Sequence, residues 1–225
     1  MTPVDSLCDA ESAALARDGF LMIRGGIPIE WREPLRQAFD ANVRASDAWP
    51  VPRGHDWHHA QFDHAPLIQR VCRLPALLSA CGAVIGGAFH LAQVEGRAPR
   101  INNAVQLLHR DAEGESAHHV SVFAYLDDFG PDNGATQIVP GSHLRRDGAP
   151  GAPVITHGRA GDVLVIDARL LHGATSNASG MARRTMLIGY VSATHYAEHE
   201  VSRSSRGVTM DTGEIFAPFP ARDSG

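Results

Sequence analysis

From residue 88 to residue 191 the chain reads as a succession of short strands with no helical pattern between them. Ala88 to Glu95, Asn102 to Leu108, His119 to Leu126, Thr136 to Val139, Pro153 to Thr156, Asp162 to Ile166 and Arg183 to Val191 carry the apolar residues. Turn signals separate them: Asp128 to Gly134, Pro140-Gly141-Ser142, Asp147-Gly148, Gly161-Asp162 and Asn177 to Gly180. Asn, Asp, Gly, Pro and Ser clusters between apolar runs mark turns because they tolerate left-handed backbone or bond their own main chain. Many short strands without crossover helices restrict the fold to an all-β sandwich or barrel of jelly-roll type.

The first part of the chain has a different period. Glu11 to Arg17 reads as a short helix closed by Asp18-Gly19, and Phe20 to Arg24 as a strand. Trp31, Leu35, Phe39 and Val43 recur at i, i+4, which predicts an amphipathic helix over Ile29 to Val43. Residues 66 to 84 repeat the pattern with Leu67, Val71, Leu74 and Leu78. Residues 49 to 65, rich in Pro, His and Asp, are expected to be a surface loop or lid. Helices followed by strands then imply helices packed on the outside of one barrel. The chain is expected to be a single domain over 1–225 with its core at about 11–192, and 201–225 is expected to be a tail or a lid.

Chemistry concentrates at Leu107-Leu108-His109-Arg110-Asp111, the one place among 13 histidines where His-x-Asp or His-x-Glu occurs. On a strand, residues i and i+2 share a face about 7 Å apart, so an imidazole and a carboxylate project in parallel. His172, in Leu170 to Ala174, is the downstream partner. Two imidazoles and one carboxylate with open coordination positions form the facial triad of non-haem Fe(II) oxygenases. A hydrogen-bonded His–Asp pair is the alternative reading of His109 and Asp111 taken alone. Arg183 and Arg184 open the last apolar strand, so alternation turns one of them inward. An internal guanidinium needs an anion, and its fork fits a carboxylate bidentately.

Three motifs in order, His109-x-Asp111, Asn133 to His143, and Gly161 to Asp167 through His172 to Arg183, closely resemble the phytanoyl-CoA dioxygenase family. The resemblance covers roughly residues 11 to 192. It implies a double-stranded β-helix (jelly-roll, cupin-like) and an oxidoreductase that uses Fe(II), 2-oxoglutarate and O2 as iron cofactor and cosubstrates. Matched by position, His109, Asp111 and His172 would be the catalytic metal ligands. Arg183 would meet the far carboxylate of 2-oxoglutarate and Arg184 would face out. Gln106 and Thr136 would also touch the cosubstrate, Gln106 only if its strand bulges, since strict alternation turns it away from His109. The family's Ser or Thr two residues past the second histidine is Ala174 here, and the carboxylate at Asp111 argues against halogenation.

The implied reaction is oxidation, first of all hydroxylation, of an unactivated C–H bond in a small-molecule metabolite or natural-product intermediate, with release of succinate and CO2. A cupin-type metalloenzyme that does not use 2-oxoglutarate, or a non-catalytic metal- or ligand-binding barrel, are the competing readings. A net charge of −5 and pI near 6.2 give no basic stripe for nucleic acid. No run is apolar and long enough for a bilayer, and Cys8, Cys72 and Cys81 are expected to be free thiols in a reducing, cytoplasmic compartment.

Overall fold

The computed structural model describes residues 6–114, 118–145 and 151–217. The expected turn at Asp147-Gly148 and Pro218 of the tail lie outside them. Four helices come early: α1 (Asp9–Asp18), α2 (Ile29–Ala41), α3 (Pro66–Val71) and α4 (Pro75–Ile85). The strands are β1 (Phe20–Ile23), β2 (Val43–Arg44), β3 (Trp57–Ala60), β4 (Phe89–Pro99), β5 (Gln106–His109), β6 (His119–Tyr125), β7 (Thr136–Ile138), β8 (Val154–Ile155), β9 (Val163–Asp167), β10 (His172–Ala174), β11 (Thr185–Ser192) and β12 (Ile215–Phe216). Two short helices, α5 (Tyr196–Val201) and α6 (Arg203–Arg206), precede β12.

All the strand pairs are antiparallel. They form one sheet in the order β1-β9-β6-β11-β4-β3-β2, with β12 on β4, and a second sheet β5-β10-β7-β8. This is the expected jelly roll, laid out as two facing sheets with no ladder joining them among the described residues. Period-2 alternation decides what each strand faces. On β6 and β9, Val120, Val122, Ala124, Val163 and Val165 point to the helices, where Leu35, Phe39 and Leu77 meet them. Tyr125, Leu164 and Ile166 point the other way, onto Ile138 of the second sheet.

Local chemistry explains the element boundaries. Gly19 closes α1 at φ 79°, and the His143 ring occupies the space a Cβ would need, which fixes the turn into β1. Pro34 inside α2 removes a helix hydrogen bond, a defect of roughly 3 kcal/mol. Burial of Leu35 and Phe39, both at most 2% exposed, contributes roughly 2–3 kcal/mol each and outweighs it.

Several expectations change. Val43 is not on the apolar face of α2: the helix ends at Ala41, and Val43 is exposed in β2. The helix expected over 66–84 is two helices, because Pro75 disfavours helical backbone at Leu74. Residues 49–65 are not all loop, since β3 pairs with both β2 and β4. The segment after 201 packs against the domain: the buried Asp63 carboxylate accepts from Thr209 N, Thr209 Oγ1 and Met210 N at 2.5, 2.6 and 2.9 Å. Cys72 and Cys81 are buried and Cys8 is exposed, all three as thiols.

Candidate metal centre

His109 ends β5 and His172 opens β10, and the two are register partners, with ring centroids 4.4 Å apart. The strand next to that of His109 is therefore β10, while β9 lies in the other sheet. Asp111 follows β5, where its N–H and that of Ala112 donate to Ala168 O at 2.9 and 3.0 Å. Its Oδ1 lies 3.5 Å from His109 Nε2 and its Oδ2 3.5 Å from His172 Nε2. The three donor atoms all fall within 4.8 Å of one another, the one such cluster among the described residues.

Their supports prepare them for a cation. Each histidine Nδ1 sits 3.0 Å from the carbonyl oxygen two residues upstream, Leu107 O and Leu170 O. With Nδ1–H donating there, Nε2 is the atom turned to Asp111, free to bind a metal or to hold a proton shared with that carboxylate. Ser121 Oγ donates to Asp111 Oδ2 at 2.7 Å and fixes the carboxylate plane. Burial works against ionised Asp111, but the His109 hydrogen bond and the His172 charge outweigh it and hold the carboxyl well below its usual range. Burial lowers His172, whereas the Asp111 hydrogen bond raises the half-exposed His109. Two imidazole Nε2 atoms and one carboxylate converging within 4.8 Å fit a divalent first-row metal.

The cluster opens into a cavity of about 530 Å³, and Gln106, Thr136, Ala174 and Arg183 line it as well. Gln106 faces it because β5 bulges: His172 pairs with His109 but Ala174 pairs with Gln106, so three steps on β5 match two on β10. Gly173 permits this approach, for a Cβ there would lie 2.5 Å from Gln106 O. Arg183 precedes β11 and is 2% exposed. The turn before it is held by Asn177 Nδ2 to Met181 O at 2.8 Å and Ser179 Oγ to Asn177 Oδ1 at 3.0 Å. Its guanidinium stands 4.3 Å from the Phe129 ring and 5.4 Å from Trp57. Its Nε has no acceptor among the described residues, and burial lowers its pKa to about 10. Arg184 faces outward, bonded to Asp127 and Asp40.

A family model described as phytanoyl-CoA dioxygenase (PhyH) matches residues 15–185. The chain belongs to the phytanoyl-CoA dioxygenase family. Within it, the chain is 34% identical over 115 residues to "Dioxygenase aneA" of Aspergillus aculeatus, a match of 44% of this chain and 38% of that protein. The chain spans less than half the length of the curated relatives it matches. The epimerase SnoN from nogalamycin biosynthesis shares the fold at TM-score 0.69 and 22% identity, over 95% of this chain and 93% of that one. HygX from Streptomyces hygroscopicus, solved with nickel, 2-oxoglutarate and hygromycin B, does so at TM-score 0.68 and 18% identity, over 83% and 88%.

From the sequence, Gln93, Glu95, Arg97, Asn103, the 49–65 segment, His195 and Tyr196 are candidate pocket residues, each more often scaffold than contact; some of them line the cavity, and His199 and Arg206 join them unforeseen. Arg53, Trp57 and His59 come from the 49–65 segment, and His199 and Arg206 from the C-terminal helices. Gln93 and Arg97 share the wall because β4 bulges between Leu91 and Gln93, which shifts the parity of every later residue on that strand. Asn103, His195 and Tyr196 are scaffold. Asn103 Oδ1 accepts from Asn177 N at 2.8 Å, His195 stacks on His118 and Tyr196 on His90. Asn133 and Ser142 serve turns, as expected: Asn133 Oδ1 accepts from Gly130 N, and Ser142 Oγ from Leu171 N, next to His172. Among the described residues no helix is long and apolar enough to cross a membrane.

Proposed function

We propose that this phytanoyl-CoA dioxygenase family member is an Fe(II)- and 2-oxoglutarate-dependent dioxygenase acting on a small molecule. Its first expected reaction is hydroxylation of an unactivated C–H bond, with release of succinate and CO2. The observation that carries this reading is Arg183, a buried cation without a carboxylate partner among the described residues, lining the same cavity as the three donor atoms. A guanidinium so placed is costly unless an anion joins it. The distal carboxylate of a dicarboxylic cosubstrate meets that need, and the competing cupin-type and non-catalytic readings leave Arg183 without a purpose.

In this reading His109, Asp111 and His172 hold the iron, and Arg183 receives 2-oxoglutarate, with Thr136 and Gln106 beside it. Iron, cosubstrate and O2 supply the oxidising power. The chain's own residues do the rest. Leu107 O and Leu170 O keep both imidazoles in the metal-binding tautomer, and Ser121 orients Asp111. Phe129 and Trp57 flank the Arg183 guanidinium, which strengthens its attraction for a carboxylate. A cavity of about 530 Å³ suits a small-molecule substrate. The epimerase name of SnoN adds a second outcome, hydrogen removal followed by another fate of the substrate carbon.

The test is anaerobic titration of the Fe(II)-loaded protein with 2-oxoglutarate, followed by exposure to air. A weak visible charge-transfer band and substrate-independent succinate formation are expected. Loss of neither iron nor fold, yet no band and no succinate, would overturn the reading.

A further inference from the structure

Several arginines of this chain each have a carboxylate of their own: Arg24 with Asp162 at 2.8 Å, Arg169 with Asp167 at 2.6 Å and Arg184 with Asp127 at 2.9 Å. The cavity wall on β4, the strand whose Arg97 pairs in register with Thr185 just after Arg183, is arranged differently. Arg53 Nη2 reaches Glu95 at 3.0 Å and Arg97 Nε bonds the same carboxylate, so one anion serves two guanidiniums. Arg206 has no carboxylate within ion-pair distance among the described residues. It donates instead to Ala92 O, Gln93 Oε1, His199 O and Ser202 Oγ, at 3.0, 3.1, 2.8 and 3.1 Å. Three guanidiniums therefore face the cavity with one carboxylate between them.

The free hydrogen-bonding capacity is also unevenly placed. Arg53 Nε is buried with no acceptor among the described residues. Arg97 is oriented through Nε by Glu95, which is 2% exposed and stays ionised: burial opposes its charge, but Arg97, His59 and Arg53 together bring its pKa down to about 2. The two Nη groups of Arg97 bond to nothing among the described residues, and the side chain is one-third exposed to the cavity it shares with His109. A guanidinium held from behind with its far edge open is prepared for a second oxyanion.

We propose that the substrate carries an organic oxyanion, a carboxylate or a phosphate ester, which Arg97 receives within the positive field of Arg53 and Arg206. The proposal rests on the reading above in one respect, that Arg183 is already engaged by the cosubstrate, so the anion at Arg97 is a different one. It names what sets the substrate class: charge on the β4 and α6 wall, not aromatic stacking.

Isothermal titration of the Mn(II)- and 2-oxoglutarate-saturated protein tests it with paired probes, benzoate against benzamide and glucose 6-phosphate against glucose. We expect at least one anion to bind roughly tenfold or more tighter than its neutral partner, and the preference to shrink with added salt. The pair that responds tells carboxylate from phosphate. Arg97→Gln should abolish the preference and Arg97→Lys should keep part of it; the Gln variant loses the Glu95 ion pair and should melt lower, so both are assayed well below their melting temperatures with the fold checked by circular dichroism. Arg206→Gln, which keeps a hydrogen-bonding head without charge, should weaken the anion roughly threefold. Separately measured 2-oxoglutarate affinity should stay within about twofold in Arg97→Gln and collapse in Arg183→Gln. Equal binding of neutral and charged partners, or no anion binding at all, overturns the proposal. So does loss of 2-oxoglutarate affinity in Arg97→Gln, which would give Arg97 to the cosubstrate. If wild type shows the Arg97-dependent preference but no 2-oxoglutarate affinity, the oxygenase reading fails and the anion site stands.

Discussion

Replacing Arg183 with methionine should make the metal-free protein more stable and destroy its cosubstrate site in one step. Arg183 is 2% exposed, makes no ion pair among the described residues, and has its pKa lowered to about 10 from 12.5 by burial. At about 1.4 kcal/mol per pKa unit, the buried charge costs on the order of 3 kcal/mol in the absence of an anion. Methionine of similar length removes that cost, and it gives up the cation–π contact with Phe129, about 1 kcal/mol. The balance is a gain of roughly 1–2 kcal/mol, or about 2–8 °C in Tm for a chain of this size. Scanning calorimetry in EDTA reads it. The same substitution removes a desolvated charge pair to 2-oxoglutarate, which corresponds to a loss of about 2–4 kcal/mol, roughly 30- to 1000-fold in Kd. Calorimetric titration of the Mn(II)-loaded protein reads that half. Destabilisation of the metal-free protein with unaltered 2-oxoglutarate affinity would refute the reasoning, because it would make Arg183 a structural cation.

Three further outcomes follow from the same geometry. Gly173→Ala sets a Cβ 2.5 Å from Gln106 O, so β5 must move; we expect a loss of about 1–3 kcal/mol in urea unfolding and weaker metal binding in a chelator competition. Ala174→Ser restores the hydroxyl the family carries there, and 2-oxoglutarate should bind a few-fold more tightly, about 0.5–1.5 kcal/mol by titration. His119 has its pKa lowered to about 4, by burial first and the His199 charge second. The unfolded chain therefore takes up a proton first on acidification. His119 should cost on the order of 3 kcal/mol of stability as pH falls from 6.5 to 4, a loss that His119→Gln should reduce in pH-dependent unfolding.

The sequence was readable where strands are long and two-faced. On β6, β9 and β11, alternating residues separate cleanly between the helix side and the inter-sheet side, and those segments were found within a residue or two. The His109-x-Asp111 pair and its meeting with His172 were foreseen from residue chemistry, whereas Gln106, Thr136 and the choice of Arg183 over Arg184 came through the family resemblance. What stayed hidden depends on irregular pairing. The strand bearing His172 is three residues long, too short to show a period, so the sequence shows no strand there. Trp57–Ala60 does not alternate, and it passed for loop. The bulge on β4 inverts parity after Leu91, so alternation alone could offer Gln93, Glu95 and Arg97 only as candidate pocket residues without separating them from scaffold. Arg53 and Arg206 lie on a loop and a four-residue helix, and only tertiary packing brings them to the wall.

The clasp on Asp63 divides the molecule by duty. Its carboxylate grips Thr209 and Met210 immediately after α6, and so anchors the stretch that carries His199 and Arg206 without touching the metal ligands. A graft of residues 196–217 from another member of the family, with its own anchor at position 63, should therefore replace the Arg206 side of the cavity while Arg97 and the three donor atoms keep their places on the sheets.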